Sequence, residues 1–401
     1  MPGRGGEPYV AGHRALLLQN GAEFFPALRS AIDLAKREIL LETYILKTDA
    51  EGLGIIEALI GAAARGVAVY MLVDGFGSRH LGRAQVEGWR DAGLRLHVYR
   101  PYHLLHWNRL QLRRLHRKLA VVDGRLAFVG GINLHSDYDS PLQKVPRLDY
   151  AVQVEGPLVR QVRATMRGLW RAVNWARLHS AGAGPPTHLP APSAAGSLAA
   201  HFLRRDNLRH RYSIERAYLD AIRSARDSVL IANAYFVPGR RFRRALKAAA
   251  MSGVQVRLLL QGRVDHVVEF LASRALYGDL LAAGVEIHEY LAGPLHAKVA
   301  VVDGHWCTVG SSNMDPFSLL AAREANVAID DAGFARELTR RIEQQMAEHA
   351  RPVNPDNWRR RSWYRRFLAW LAYGVVRHLV GLSGYTGFDP SLRRRRSGPA
   401  D

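Results

Sequence analysis

A single cysteine, Cys307, occurs among the 401 residues, so the chain cannot form an internal disulfide. A lone thiol is typical of proteins from reducing compartments. The first residues, MPGRGGEPYV, include no apolar stretch after the charged ones, and we therefore expect no signal peptide. The sequence also lacks a run of about 20 apolar residues, so we expect no ordinary transmembrane helix.

Acidic residues are scarce relative to basic ones. The chain has 36 acidic and 56 basic residues, a formal net charge of +20 and a pI near 10.5. Such an excess favours polyanionic partners, either nucleic acid or an anionic membrane surface, and charge alone does not choose between them. With 48% hydrophobic and 23% charged residues, the composition is that of a globular protein with room for two domains.

Two stretches of the chain share one spacing of chemically active residues. They are LHRKLAVVDGRLAFVGGIN, residues 115–133, and LHAKVAVVDGHWCTVGSSN, residues 295–313. The shared positions are His116, Lys118, Asp123, Gly130 and Asn133 in the first copy and His296, Lys298, Asp303, Gly310 and Asn313 in the second. Two matches at five positions, 180 residues apart (296 − 116), are not expected by chance.

The Asp-Gly pairs inside these stretches predict β-hairpins. Both central residues of a type I′ turn need positive φ, and Asp-Gly between apolar runs is a strong signal for such a turn. We therefore place Asp123-Gly124 and Asp303-Gly304 at hairpin tips. Because His116 and Asp123 are seven residues apart, an extended strand separates them by roughly 20 Å. The spacing thus indicates that both aspartates form turns rather than assist the histidines.

A two-residue turn also predicts the register of each hairpin. It puts His116 opposite Gly131 in the first copy and His296 opposite Ser311 in the second. Side chains two residues apart share a face of a strand, so the His, Lys and Asn of each copy should project together. A small residue opposite each histidine leaves room for a ligand.

The hairpins lie inside a longer repeat. AIDLAKREILLETYIL, from residue 31, resembles AIRSARDSVLIANAYFV, from residue 221, and each predicts a helix followed by an apolar strand. In both copies a helix, a buried strand after Gly66 or Gly253 and a third strand follow. The predicted fold is therefore α/β, with two tandem domains that each hold a mostly parallel mixed sheet flanked by helices. We expect a pseudo-twofold axis to relate them.

Composition predicts the boundaries of these domains. The first domain spans residues 10–179, and a linker rich in Ala, Gly, Pro and Ser spans residues 180–200. The second domain spans residues 201–350. A basic and aromatic tail with amphipathic character spans residues 351–401.

If the halves pack about such an axis, two His, two Lys and two Asn converge on one site. This set suits an anionic phosphodiester, with Lys118 and Lys298 neutralising the nonbridging oxygens and Asn133 and Asn313 donating hydrogen bonds to them. We also place Ser311 in the phosphate-binding set. One histidine can attack phosphorus while the other protonates the leaving alkoxide. No cluster of carboxylates accompanies the set, so we expect neither a metal nor another cofactor.

The two HxKxxxxD elements, with their GGxN and GSxN tails, resemble the phospholipase D superfamily. LLETYIL, DYAVQVEGP, IANAYFVPG and VGSSNMDPFSLLAAREANV are similar to bacterial cardiolipin synthases of the form without N-terminal membrane helices. The resemblance implies two phospholipase D-like domains and transfer of a phosphatidyl group between phosphatidylglycerol molecules through a phosphohistidine. It further implies that His116 is the nucleophile and that His296 is the acid and then the base, and it includes Asp123 and Asp303 in the catalytic motif.

Each histidine needs an acceptor on its other ring nitrogen to fix its tautomer and direction. With the motif aspartates at hairpin tips, Asp149 and Glu324 are the candidates, 33 and 28 residues after the histidine of their own copy. The resemblance has acidic residues at these places. The alternative is that both are surface carboxylates at strand starts. Glu42, in an apolar strand, is expected to line the site or to pair with a lysine.

The carboxyl-terminal segment favours a lipid substrate over a nucleic acid. WRRRSWYRRFLAWLAYGVVRHLVGL, residues 358–382, has an apolar stripe at helical spacing beside arginines. Its apolar run is too short to cross a bilayer, but such a helix suits the headgroup region of an anionic membrane. The alternative is that the helix only packs on the second domain. Arg393 to Arg396 would add attraction to lipid phosphates.

The residues before the first motif, Pro101 to Lys118, mix aromatic, aliphatic and arginine side chains, which would suit lipid or single-stranded nucleic acid equally. We expect a peripheral enzyme on the cytoplasmic side of the cell membrane, with an anionic phospholipid membrane containing phosphatidylglycerol and cardiolipin as partner. Nucleic acid is the less favoured partner, and a phosphodiesterase acting on it is the alternative function. The acceptor alcohol and the oligomeric state stay open.

Overall fold

The structure is a computed structural model that describes residues 9–101, 113–138, 143–176, 189–206, 210–264, 267–315, 322–360 and 363–382. The elements of the first half are β1 (Val10–Gln19), α1 (Asn20–Asp33), β2 (Glu38–Thr43), α2 (Ala50–Ala64), β3 (Ala68–Asp74), α3 (Arg83–Asp91), β4 (Arg95–Tyr99), β5 (Arg114–Leu115), β6 (Lys118–Val122), β7 (Leu126–Gly130), β8 (Tyr150–Glu155) and α4 (Val159–Ala176).

The second half repeats this order and adds carboxyl-terminal elements. They are β9 (Leu198–Arg205), α5 (Ser213–Ser224), β10 (Ser228–Asn233), α6 (Arg240–Met251), β11 (Gln255–Gln261), α7 (Val267–Ala275), α8 (Tyr277–Leu281), β12 (Glu286–Tyr290), β13 (Lys298–Val302), β14 (Trp306–Gly310), β15 (Ala322–Asp330), α9 (Ala332–His349), β16 (Ala350–Pro352), α10 (Pro355–Arg359) and α11 (Trp363–Leu382).

The strands of both halves form one continuous mixed sheet. Its order is β16-β12-β11-β10-β13-β14-β15-β9-β1-β8-β7-β6-β2-β3-β4, and the halves join where β1 pairs antiparallel with β9. Outward from that junction, equivalent strands follow in the same order on both sides, which is the pattern that a twofold axis produces. The parallel pairs are β2-β3-β4 and β10-β11-β12, and the other neighbours in this order run antiparallel. The α/β prediction with two repeated halves is confirmed, although the parallel part of the sheet is smaller than expected.

Two predicted boundaries fall inside strands. β9 begins at Leu198, within the segment predicted as a linker, and its backbone pairs with β1 and β15. The predicted tail begins inside β16, which adds an edge strand to β12. Residues 180–188 of the predicted linker lie outside the described residues, as do residues 177–179 at the end of the predicted first domain.

Each HxK motif opens a hairpin whose tip is an Asp-Gly turn. The φ angles are 51° and 64° at Asp123 and Gly124, and 50° and 65° at Asp303 and Gly304. The turns hold three residues rather than two, so the predicted register is wrong by one residue. Lys118 pairs with Gly130 rather than with the residue before it. The strand pairing ends at this pair, so His116 does not pair with Gly131 as predicted.

Period-two alternation on the motif strands divides the core into layers. Leu119 and Val121 of β6 face a central apolar cluster that also takes in Val299 and Val301 of β13. The alternate residues of β6 face a cluster under α1 and α2, and those of β13 face one under α5 and α6. Because both halves contribute to the central cluster, burial of apolar surface holds the two motif strands in fixed relative positions.

The carboxyl-terminal helix α11 packs on the second half by one face. Ala369, Tyr373 and Val376 are buried, and Tyr373 and Val376 belong to the apolar cluster of that half. The residues of the opposite stripe are 41 to 59% exposed, namely Tyr364, Phe367, Leu368, Trp370, Leu371 and Val375. The predicted apolar stripe included Tyr364, Phe367, Leu368, Leu371 and Val375, so core packing uses residues other than these. Arg393 to Arg396 lie outside the described residues, as do residues 102–112 of the segment before the first motif.

Candidate active site

Each motif histidine is anchored by backbone from the other half of the chain. β5 pairs in parallel with the start of β15, and the backbone N–H of His116 donates to the carbonyl of Arg323 at 3.0 Å. In the same way, Leu148 bridges to Leu295, and the N–H of His296 donates to the Leu148 carbonyl at 2.8 Å. The side chains of His116 and His296 remain 17 and 18% exposed, so solvent and substrate can reach both rings.

The carboxylates beside the histidines are exchanged between the halves. Nδ1 of His296 hydrogen-bonds Oδ2 of Asp149 at 2.6 Å, and Nδ1 of His116 lies 2.9 Å from Oε1 of Glu324. Both acids are candidates predicted from the sequence as partners of the histidines that precede them, but each lies beside the histidine of the other copy. The chain crosses over because Leu148 and Arg323, the residues that precede the acids, bind the opposite motif strands.

Small residues make room for the two carboxylates. A Cβ at Gly131 would lie 2.2 Å from Oδ1 of Asp149, so only glycine fits there. At the equivalent place in the second half, Ser311 donates its hydroxyl to Oε2 of Glu324 at 2.5 Å. The expectation that Ser311 binds phosphate does not fit this geometry, because its proton is already donated to Glu324.

The two motif lysines are buried beside the histidines. Nζ of Lys118 donates to the carbonyl of His116 at 2.7 Å, and Nζ of Lys298 donates to that of His296. Burial lowers the pKa of Lys118 to about 8 and that of Lys298 to about 7. Both ammonium groups thus lie in a buried environment of low dielectric constant, where the attraction for an anionic ligand is strong.

Electrostatics favour neutral imidazoles before substrate binds. Burial lowers the pKa of His116, and burial with the charges of Lys298, Lys118 and Arg147 lowers the pKa of His296 well below its ordinary value. His116 also contributes to that lowering, which places the two rings within electrostatic reach of each other.

The pKa values of the two acids are shifted in opposite directions. Burial raises the pKa of Asp149 to about 6. Burial also acts to raise the pKa of Glu324, but His116, Lys118 and the Ser311 hydrogen bond outweigh it and leave this pKa lowered. Above about pH 6 both carboxylates can accept an Nδ1 proton, which leaves Nε2 of each ring free for chemistry.

Asn133 and Asn313 are buried in the bends that follow β7 and β14. Oδ1 of Asn133 accepts from the N–H of Ile45 at 3.1 Å, which leaves the Asn133 amide nitrogen as its donor. An amide held this way can donate to a phosphate oxygen.

The motif aspartates lie far from the histidines. The carboxylate of Asp123 accepts from the N–H groups of residues 36–38, and that of Asp303 accepts from those of residues 226–228. Each therefore fastens a hairpin tip to the start of a neighbouring strand. The resemblance includes both aspartates in the catalytic motif, but the carboxylates bind backbone N–H groups and not the motif histidines.

Two features near the site, those of Tyr44 and Arg147, were not assigned from the sequence, and the partner of Glu42 differs from the lysine that was expected. The ring of Tyr44 packs on His116, with centroids 4.7 Å apart. Glu42 pairs with buried Arg117, not with a lysine, and Nη2 of Arg117 donates to Oε1 of Glu42 at 2.9 Å. Nη1 of Arg147 lies 3.1 Å from Nε2 of His135. A comparison of the two copies would have singled out Tyr44, Glu42 and Arg117. The second copy has alanine at all three equivalent positions, namely Ala234, Ala232 and Ala297.

Two further observations concern ligands and membranes. In the described segments no group of three or more His, Cys, Asp or Glu side chains is placed to hold a metal ion. Of the helices with described residues, none is long and apolar enough to cross a bilayer.

A fold with two phospholipase D-like halves and paired His-Lys motifs defines a class of phosphodiester-processing enzymes. The family described as "Cardiolipin synthase, PLD-like domain" matches residues 28–170 and 218–346, and the chain belongs to this family. The chain is 39% identical to cardiolipin synthase B of Salmonella typhi over 379 residues, which cover 93% of this chain and 90% of that protein. It is 38% identical to cardiolipin synthase B of Escherichia coli over the same shares.

A solved structure supports the fold alone. The phosphatidylserine synthase of Haemophilus influenzae superposes with a TM-score of 0.67 at 14% identity, covering 94% of this chain and 96% of that one. The alignment extends over both halves, so the tandem arrangement is common to the two proteins.

Proposed function

We propose that this protein is a cardiolipin synthase, which transfers the phosphatidyl group of one phosphatidylglycerol to a second and releases glycerol. The observation that carries the proposal is the crossed arrangement of the site. Two accessible imidazoles, each held by a buried carboxylate from the other half, flank two buried lysines. Such a set can perform phosphoryl transfer through a covalent histidine.

In the first step, Nε2 of His116 attacks the phosphorus of the donor lipid. The bond from phosphorus to the glycerol oxygen breaks, and the Nε2 proton of His296 passes to that oxygen, so neutral glycerol leaves. The approach of the anionic phosphodiester raises the pKa of His296, because an opposite charge favours the imidazolium. A histidine that is neutral in the empty site can therefore hold a proton once the donor is bound.

In the second step, the primary hydroxyl of the acceptor phosphatidylglycerol takes the place of the glycerol. Nε2 of His296 accepts the hydroxyl proton as the oxygen attacks phosphorus, and the bond from phosphorus to His116 breaks. Cardiolipin leaves and His116 returns to its starting form. The same two rings thus serve both steps. His296 donates a proton in the first step and accepts one in the second, and His116 bonds to phosphorus in the first and is released in the second.

The other site residues stabilise charge and hold geometry. Lys118 and Lys298 neutralise the nonbridging oxygens, and Asn133 and Asn313 donate hydrogen bonds to them. Asp149 and Glu324 hold the Nδ1–H tautomers, so that both Nε2 atoms face phosphorus.

We further propose that the exposed face of α11 lies on an anionic membrane at its cytoplasmic side. Six large apolar or aromatic residues, Tyr364 to Val375, form this face, and Val267 and Val268 of α7 are exposed beside it. Aromatic and aliphatic side chains of this kind partition into the headgroup region, and a net charge of +20 adds attraction to anionic lipid. The site would then receive both lipids from the bilayer surface.

The activity is tested with purified protein and phosphatidylglycerol vesicles without added metal. Cardiolipin and glycerol should appear in equal amounts. If the protein degrades DNA and leaves the lipid unchanged, the function is that of a nuclease.

The membrane contact is tested by vesicle sedimentation. Replacing Phe367 and Leu371 together with Asp should release the protein from phosphatidylglycerol vesicles, while the same change at two exposed residues of other elements, Leu16 and Met251, should not. Equal binding of both double variants would overturn the assignment of this face.

A further inference from the structure

The two half-sites are not chemically equivalent, although the fold repeats. Pairing of Gly130 with Ala151 and of Gly310 with Asn326 makes Asp149 equivalent to Glu324. The residue two positions before Asp149 is Arg147, whereas the residue two positions before Glu324 is Ala322. At this pair of equivalent positions, the half-site of His296 therefore has an arginine where that of His116 has an alanine.

Backbone contacts place Arg147 close to His296. Leu148 bridges to Leu295, so residues 147–149 run alongside the start of the second motif. In an extended segment, side chains two residues apart point the same way, so Arg147 and Asp149 share a side. The positive charge of Arg147 contributes to the lowered pKa of His296 and acts to lower that of Asp149, as expected for a guanidinium near both.

A buried histidine holds the guanidinium in place. Nη1 of Arg147 lies 3.1 Å from Nε2 of His135, and Nδ1 of His135 lies 2.7 Å from the carbonyl of Ser136. Since an arginine only donates, Nε2 must accept, and Nδ1–H donates to the carbonyl. His135 is therefore neutral, and the Arg147 charge is positioned without being neutralised by it.

The opposite half-site carries an aromatic ring beside its histidine. Tyr44 packs on His116, and the residue at the equivalent place beside the second motif is Ala234. The equivalence follows from the bridges Leu46 to Leu134 and Phe236 to Met314, each two residues further on. The His116 side is thus packed closely around its ring, and the His296 side has a smaller side chain and an added positive charge.

We propose that Arg147, positioned by His135, binds the phosphate of the acceptor phosphatidylglycerol, an inference that rests on the proposed function. The attacking hydroxyl and the phosphate of this lipid are joined by one glycerol unit. His296 acts on the attacking oxygen, so the acceptor's own phosphate must lie on the His296 side. A guanidinium is suited to that phosphate by charge and by its paired N–H donors. Free glycerol, which has no phosphate, would gain nothing from it.

The test compares two acceptors for one phosphatidyl-enzyme. Phosphatidylglycerol vesicles are incubated with radiolabelled glycerol, and cardiolipin is measured against labelled phosphatidylglycerol formed by headgroup exchange. In the Arg147→Ala variant the ratio of cardiolipin to exchange product should fall about 10- to 100-fold, the loss expected for one hydrogen bond to a charged group. Arg147→Lys, which keeps the charge but not the paired donors, should give an intermediate ratio.

The control is Lys144→Ala, which removes an exposed positive charge three residues away and should leave the ratio unchanged. An unchanged ratio in Arg147→Ala, or equal loss of both products at an unchanged melting temperature, would overturn the inference. Wild-type protein that yields no cardiolipin at all would instead refute the proposed function, so the two failures are distinguishable.

Discussion

Asp149, in the first half of the chain, accepts a hydrogen bond from Nδ1 of His296, in the second half, at 2.6 Å. With Glu324 beside His116, this crossing means that neither half alone holds a histidine together with its carboxylate. The halves are joined by a shared sheet and a shared apolar core as well. The site is therefore a property of the whole chain.

Replacement of Asp149 by Asn should lower kcat strongly and KM little. The amide can donate to Nδ1 and so stabilise the wrong tautomer of His296, for which a loss of about 100-fold or more is expected. Steady-state kinetics on mixed micelles would measure it. Glu155→Gln, at the far end of β8, is the matched control. A kcat for Asp149→Asn within about threefold of wild type would show that this contact does not orient the ring.

The value of kcat/KM should pass through a maximum with pH. It should rise through about pH 6, where Asp149 ionises and can accept the His296 proton. It should fall as pH rises through about 7 and 8, where Lys298 and Lys118 lose the protons that attract the lipid phosphate. Because kcat/KM reports ionisations of the free enzyme, the pKa values of the empty site apply. A rate that keeps rising above pH 8 would contradict this assignment of the lysines.

Asp123→Asn should affect stability and leave catalysis intact. Asn tolerates the positive φ of the turn but loses the charged acceptor for the N–H groups of residues 36–38. We expect the free energy of unfolding to fall by about 1–3 kcal/mol in urea titrations, with kcat within about twofold of wild type. Asp303→Asn should behave alike. A variant that is stably folded but inactive would show that the turn position is not its whole role.

The Arg117–Glu42 pair should show strong coupling. Both side chains are 2% exposed, so removal of either one leaves a buried charge and should cost about 3–5 kcal/mol. The second half has alanine at both equivalent places, Ala297 and Ala232. The double variant Glu42→Ala/Arg117→Ala should therefore lose less stability than the sum of the single variants. Additive losses in urea titrations would mean that the two charges do not depend on each other.

Features fixed by local chemistry could be predicted from the sequence. The Asp-Gly tips and the repeated α/β halves follow from turn residues, apolar periodicity and a repeated spacing. The register was missed by one residue because Arg125 and His305 extend the turns, which residue types alone do not reveal.

Features fixed by distant contacts could not be predicted in this way. Asp149 and Glu324 were found as acids near strand starts, but which histidine each meets depends on the strand order across the junction of β1 and β9. The roles of Arg147 and Tyr44 depend on which motif histidine each residue lies beside, and only the folded structure shows this. The prediction relied on the motif that the two copies share. The positions at which the copies differ would have pointed to these further residues.

The covalent step can be measured most directly with a phosphatidyl ester of p-nitrophenol, whose leaving group needs no proton. In His296→Ala, His116 should still attack, but the next alcohol has no base. We predict a burst of p-nitrophenolate equal in amount to the enzyme, with the phosphatidyl group on the peptide that contains His116, and no burst in His116→Ala. A burst that persists in His116→Ala and is absent from His296→Ala, or turnover without a labelled histidine, would contradict the account.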